Sequence, residues 1–109
     1  MAITQKICTN ILDAGSHVFE ATSNVAVTTI HLCNNSAYNR NVNIFLLPFD
    51  GSTTVPGDGN KLYHELTVAL EDTFIIDTEK LILSTGDKIY IQLSSGTGTI
   101  VATISTIGL

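Results

Sequence analysis

The chain has 109 residues, 44% of them hydrophobic, which is the size and composition of a single globular domain spanning 1–109. Charged residues make up only 14% and the net charge is −5, with the few basic residues scattered along the chain. These values exclude intrinsic disorder and a basic nucleic-acid interface. The low charge also suggests that a partner covers part of the surface.

The first residues, MAITQKICTNILDAGSH, contain Asp13 and no apolar run long enough for the core of a signal peptide. No stretch approaches the roughly 20 apolar residues of a membrane-spanning helix. We therefore expect a protein that is made in a cytoplasm and has no membrane partner.

Alternation of apolar and polar residues dominates the chain, and turn residues recur about every ten positions, which predicts short β-strands. Residues 61–69 place Leu62, His64, Leu66 and Val68 on one face, and residues 87–93 place Ile89, Ile91 and Leu93 on one face. The segment 79–83 fits either a further strand or a helical turn. The predicted strands are 3–12, 16–20, 25–33, 41–47, 61–69, 73–77, 87–93 and 99–107.

Seven or eight such strands without a convincing helix predict an all-β fold, a single antiparallel β-sandwich of the jelly-roll or immunoglobulin-like kind. Residues 1–12 form an N-terminal arm or an edge strand. The core is expected to include Val18, Ile30, Leu32, Ile44, Leu46, Leu66, Phe74, Ile76, Leu83, Ile89, Ile91, Ile100 and Ala102.

The stretch HLCNNS at 31–36 is the first candidate for chemistry, because His31 and Cys33 share a strand face and could reach one metal ion. They provide only two ligands, and nothing near Cys33 in sequence would lower the pKa of a nucleophilic thiol. We therefore predict no metal site, no cofactor and no catalytic residue. A disulfide between Cys8 and Cys33 would require neighbouring strands, and in a cytoplasmic protein two free thiols are the favoured state.

An alternative role for this stretch follows from the period of two along the strand. If Ile30 and Leu32 point inward, the residues between them point outward and form an unusually apolar face for free solvent. We predict that this face contacts a neighbouring strand or subunit. Its members are Val25, Val27, Thr29, His31 and Cys33.

The remaining motifs carry little chemistry. Most carboxylates flank predicted turns, where Asp caps backbone groups. The loop 50–60, DGSTTVPGDGN, does not match a calcium-binding loop, and no phosphate-binding or nucleophile-elbow motif is present. Asn34-Asn35-Ser36 matches the acceptor motif for N-glycosylation, and we expect it to remain unmodified.

The ordered set of segments resembles a group of small structural proteins of tailed bacteriophages over about residues 16–107. The shared features are an alternating strand ending in Cys33-Asn34, a strand ending near Pro48, a strand with Leu62-Tyr63, the turn Glu71-Asp72-Thr73-Phe74, and Gly86-Asp87 before an Ile-Tyr-Ile strand. The sequence departs from the group after Glu20, in the turn NNSAYNRN and in the 50–60 loop.

The resemblance implies a non-enzymatic virion protein, foremost a capsid decoration or cement protein that binds the major capsid protein. It also implies a homo-oligomer, with a trimer among the states allowed, because virion proteins assemble symmetrically. A neck, tail, baseplate or fibre accessory protein is the alternative. A carbohydrate-binding module is a further alternative, disfavoured because the chain has no Trp to form an aromatic platform.

Overall fold

The computed structural model describes residues 5–11, 15–49, 56–77, 81–96 and 98–109, with residues 5–9 described by their strand pairing alone. Nine strands occupy most of these ranges, and one short 3-10 helix lies at Asp58–Asn60. The strands are β1 (Gln5–Ile11), β2 (Ser16–Glu20), β3 (Val25–Asn34), β4 (Arg40–Leu47), β5 (Lys61–Val68), β6 (Thr73–Ile76), β7 (Leu81–Leu83), β8 (Lys88–Leu93) and β9 (Ile100–Gly108).

Two antiparallel sheets pack against each other, which confirms the predicted β-sandwich. Sheet A has the order β1-β9-β3-β6, with β7 also paired to β3, and sheet B has the order β2-β8-β4-β5. The predicted N-terminal segment provides β1, the edge strand of sheet A, through its pairing with β9. The loop prediction at 50–60 lies largely outside the described residues.

The strand order is that of a jelly roll. β6 and β7 pair with different parts of the same strand, β3, so they are two pieces of one interrupted edge strand. When β6 and β7 are counted as one strand, the antiparallel pairs are β4–β5, β3–β6/β7, β2–β8 and β1–β9. Along the sequence each pair encloses the one before it, as successive pairs do in the two arms of a long hairpin. A jelly roll is such a hairpin rolled into two sheets. This nesting distinguishes a jelly roll from the immunoglobulin-like sandwich that the sequence left open.

The core lies between the sheets and follows the predicted alternation where the strands are regular. Ile89, Ile91 and Leu93 of β8 are buried, as are Ile100, Ala102 and Ile104 of β9. Leu46, Leu66 and Ile76 pack at its margin. The core assignment of Phe74 is wrong: its ring is 38% exposed, because β6 is an edge strand and the ring lies at the opening of the sandwich.

Register shifts in β3 and β5 change which residues face the core. In β3 the register against β9 shifts between Val27 and Thr29, which inserts one extra residue. In β5 the register against β4 shifts twice, once next to Glu65, whose backbone has φ of 49°, and once next to Leu62. The predicted grouping of Leu62 and His64 with Leu66 and Val68 is therefore wrong, since both are exposed while Tyr63 packs against the core.

Candidate interaction surface

The outer face of sheet A has no Asp or Glu at its described strand positions, although Lys6 of β1 pairs with Ser105 on this face and Asp72 and Asp77 flank β6 at the rim. Most of the other positions carry small or β-branched residues. We call this surface the A face. Its described members are Asn10 on β1; Ala26, Thr29, His31 and Cys33 on β3; Thr73 and Ile75 on β6; Ile82 on β7; and Val101, Thr103, Ser105 and Ile107 on β9.

The strand register aligns these residues in rows across the sheet. One row joins Thr103 of β9, His31 of β3 and Ile75 of β6, and the next joins Val101, Cys33 and Thr73. The two central strands are half-buried at these positions, whereas Ile75 and Ile82 on the edge are 51% and 63% exposed. The A face is therefore a shallow apolar trough with two protruding isoleucines along one side.

Of the five residues in the predicted contact face, the structure places three on the outer face of sheet A and two in the core. Thr29, His31 and Cys33 lie on the A face, but Val25 and Val27 are 7% and 2% exposed and belong to the core. The bulge between Val27 and Thr29 is the reason, because an extra residue inverts the alternation along β3. The neighbours of His31 on β9, β6 and β7 come from distant parts of the sequence, and their exposure depends on the strand order.

The two cysteines lie on strands that are not adjacent. Cys8 pairs with Thr103, and Cys33 pairs with Val101, so β9 separates them. One intervening strand places their backbones about 10 Å apart, beyond the roughly 7 Å that a disulfide bridges. Cys33 is a free thiol, half-buried, whose Sγ lies 3.6 Å from Oδ1 of Asn35.

The turn after Cys33 is organised by Asn34, which is 1% exposed. Its Nδ2 donates to the carbonyl oxygens of Tyr38 at 2.8 Å and Val68 at 3.0 Å, and its Oδ1 accepts from the backbone N–H of Ser36 at 2.9 Å and its hydroxyl at 2.8 Å. The predicted turn is confirmed, and its first residue is a buried structural amide. The folded chain does not present this amide nitrogen for glycosylation.

A second apolar surface lies at the opening between the sheets, which we call the open edge. Here Leu62 of β5, Leu70 of the turn after it and Phe74 of β6 are 41%, 48% and 38% exposed. A cavity of about 240 Å³ lies beside Leu62, between residues of β3, β5, β6 and β7. Its lining is almost entirely apolar, with Val27, Thr29, Ile30, Leu62, Tyr63, Ile76 and Leu81.

The outer face of sheet B is aromatic and polar rather than aliphatic. His17, Tyr90 and Phe45 form a cross-strand row, with ring centroids 4.9 Å apart in the first pair and 5.8 Å apart in the second. The Nζ atom of Lys61 lies 5.6 Å from the centroid of Phe45. A groove beside this row is lined by Phe45, Pro56, Gly57, Asp58, Lys61, Tyr90 and Gln92.

Two of the described carboxylates, Asp72 and Asp87, cap backbone groups at turns, as their positions in sequence predict. The two oxygens of Asp87 accept from the backbone N–H groups of Phe49 at 2.8 Å and Ser84 at 2.9 Å, and Asp72 accepts from Thr73. Within the described ranges, no group of three or more His, Cys, Asp or Glu side chains is placed to hold a metal ion. None of the helical segments described there is long and apolar enough to cross a bilayer.

Comparison with known proteins provides no relative. No family model, no curated protein and no solved structure matches this chain.

Proposed function

We propose that the protein is a non-enzymatic structural protein of a tailed-bacteriophage virion, and specifically a decoration protein that binds the capsid shell and stabilises it. The observation that carries the proposal is the presence of two separate apolar surfaces, the A face and the open edge, on one small jelly roll. Apolar patches of this kind mark protein contacts. A protein that joins neighbouring subunits needs more than one of them.

The fold and the sequence resemblance support the same reading. Jelly rolls recur in viral capsid domains, although they also occur in lectins, so the fold alone does not decide the function. The resemblance to small phage structural proteins favours the virion. In this proposal the protein is made in the host cytoplasm and acts in the virion, with the major capsid protein as its partner.

The open edge provides a physical mode of shell binding. Among the described strands β5 and β6 lie at sheet edges, so an extended segment of a shell subunit can pair with them. A bulky apolar side chain of that segment would fill the cavity beside Leu62 and Tyr63. In this proposal the segment is bound more tightly in the assembled shell than in dissociated subunits, so binding stabilises the shell.

Copy number in purified particles tests the proposal. A decoration protein is expected in numbers close to those of the major shell protein, whereas a neck, tail, baseplate or fibre accessory protein is present in far fewer copies.

Binding of the purified protein to undecorated shells tests whether the open edge is the surface that binds the shell. Leu62→Glu should abolish binding, while Thr85→Glu, an equal charge change at an exposed turn, should leave it intact. Loss in both variants, or in neither, would contradict the role of the open edge.

A carbohydrate-binding module is the second candidate, and the groove on sheet B is the observation that favours it. The described aromatic residues weigh against it. Phe45 is 5% exposed, Tyr90 is half-buried between two edge-on rings, and the exposed ring of Tyr38 has the guanidinium of Arg40 at 5.3 Å over it. Binding on a sugar array that is lost in Tyr38→Ala or Tyr90→Ala would favour the carbohydrate-binding module over the decoration protein.

A further inference from the structure

We infer that the A face is covered by a second copy of this chain, in a two-fold symmetric dimer packed sheet to sheet. The inference deepens the proposed function, since it names the partner of one of the two surfaces on which that function rests. The open edge remains free in such a dimer to meet the shell.

Charge is the first argument for self-association through this face. Two copies that each carry a net charge of −5 repel one another wherever acidic groups would meet. The strand positions of the A face include neither Asp nor Glu, and Asp72 and Asp77 flank β6 at its rim. Two identical acidic proteins can therefore approach through this face with these carboxylates at the edge of the interface rather than inside it.

Shape is the second argument. A two-fold interface needs a surface that is complementary to itself. The A face has both halves of such a surface, because Ile75 and Ile82 protrude from one side while Ala26, Thr29 and Cys33 leave a shallow trough beside them. Rotation by a two-fold axis can place the isoleucines of each copy against the small residues of the other.

Area is the third argument. The strands of sheet A contain 33 residues in all, and at about 3.3 Å per residue and about 4.8 Å between strands they cover roughly 500 Å² in each copy. Two copies would bury about 1,000 Å², which is the area that a specific interface is expected to reach. Sheets stacked face to face at about 10 Å are an established packing for β-proteins.

Sedimentation of the purified protein from about 1 to about 100 µM tests the inference, and the expected species is a dimer. Ile75→Glu should raise the dimer dissociation constant by about thirtyfold or more, because each copy then places a carboxylate in the interface. Ile82→Glu changes a separate strand in the same way, so the test does not depend on the folding of one variant. Leu70→Glu is the matched control, since Leu70 is 48% exposed and lies off the face, and it should leave the dimer intact.

Cys33 provides an independent readout on the face itself. In a Cys8→Ser background, maleimide labelling of Cys33 should be slow at concentrations where the dimer forms and fast in Ile75→Glu. A monomeric or trimeric wild type would overturn the inference, as would a dimer that both glutamate variants leave unchanged. The measurement uses no virion, so a monomer that still decorates shells would refute only the dimer, and a dimer that is absent from particles would refute only the virion role.

Discussion

The Nδ2 atom of Asn34 lies 3.0 Å from the carbonyl oxygen of Val68, and this hydrogen bond joins the end of β3 in sheet A to the end of β5 in sheet B. Both residues are buried, at 1% and 0% exposure. The same amide group also holds the turn at residues 36–38. One side chain thus fixes the separation of the two sheets at this end of the sandwich and the course of the chain that leaves it.

Asn34→Asp should lower the free energy of unfolding by about 3 kcal/mol. The carboxylate cannot donate, so both hydrogen bonds from Nδ2 are lost and a negative charge lies beside two carbonyl oxygens in a buried position. Urea unfolding followed by circular dichroism measures the change. Asn35→Asp is the control, because Asn35 is exposed and its Oδ1 remains an acceptor, and a change above about 0.5 kcal/mol there would contradict this account.

Val27→Thr should cost about 1–2 kcal/mol of stability, because it buries a hydroxyl in the core between the sheets. Val101→Thr makes the same chemical change on the A face, where Val101 is half-buried, and should cost less than about 0.5 kcal/mol. Thermal unfolding of both variants provides the comparison. Equal costs would show that the bulge in β3 does not place Val27 in the core.

Gly15→Ala should destabilise the protein by about 2 kcal/mol or more. Gly15 has φ of 98°, which an L-residue adopts at a cost, and an added Cβ would overlap the hydroxyl of Tyr90, whose ring is held between His17 and Phe45. Gly59→Ala introduces the same methyl group where nothing lies within 4 Å, and its melting temperature should be unchanged or slightly higher. A neutral Gly15→Ala would show that Tyr90 is free to move.

Both cysteines should titrate as free thiols in protein that has been unfolded without a reductant. The reason is the strand order, which places β9 between Cys8 and Cys33. Mass spectrometry after alkylation without reduction checks this, and two added groups per chain are expected. An intramolecular disulfide in the folded protein would contradict the pairing of β1 with β9.

The alternation of apolar and polar residues predicts the buried face of β8 but not those of β3 and β5. The alternation in β8 identified its core face correctly, because that strand pairs in regular register with β4. One extra residue in β3 and two in β5 interrupt the alternation, and no residue type marks these positions, so the simple period of two assigns Val27 and Leu62 to the wrong faces. Exposure at a sheet edge is also outside the reach of the pattern. Phe74 has a core-facing position, but it is exposed because β6 lies at the edge of sheet A among the described strands.

The candidate surface was predictable only in part for the same reason. His31 and Cys33 are identifiable from one strand, but the absence of Asp and Glu around them depends on β6, β7 and β9 lying beside β3. These neighbours are set by long-range pairing, which a local pattern does not encode. The turn at Asn34 was identifiable from residue types, whereas its hydrogen bond to Val68 depends on the packing of two sheets.

Because the proposed role is in a tailed-phage virion, imaging the virion at a resolution that locates each subunit tests this proposal most directly. We expect this jelly roll on the outside of the shell, in copy numbers close to those of the major shell protein, with Leu62 and Phe74 of the open edge against a shell subunit. Its presence only at the neck, tail or fibres, or its absence from the particle, would contradict the claim.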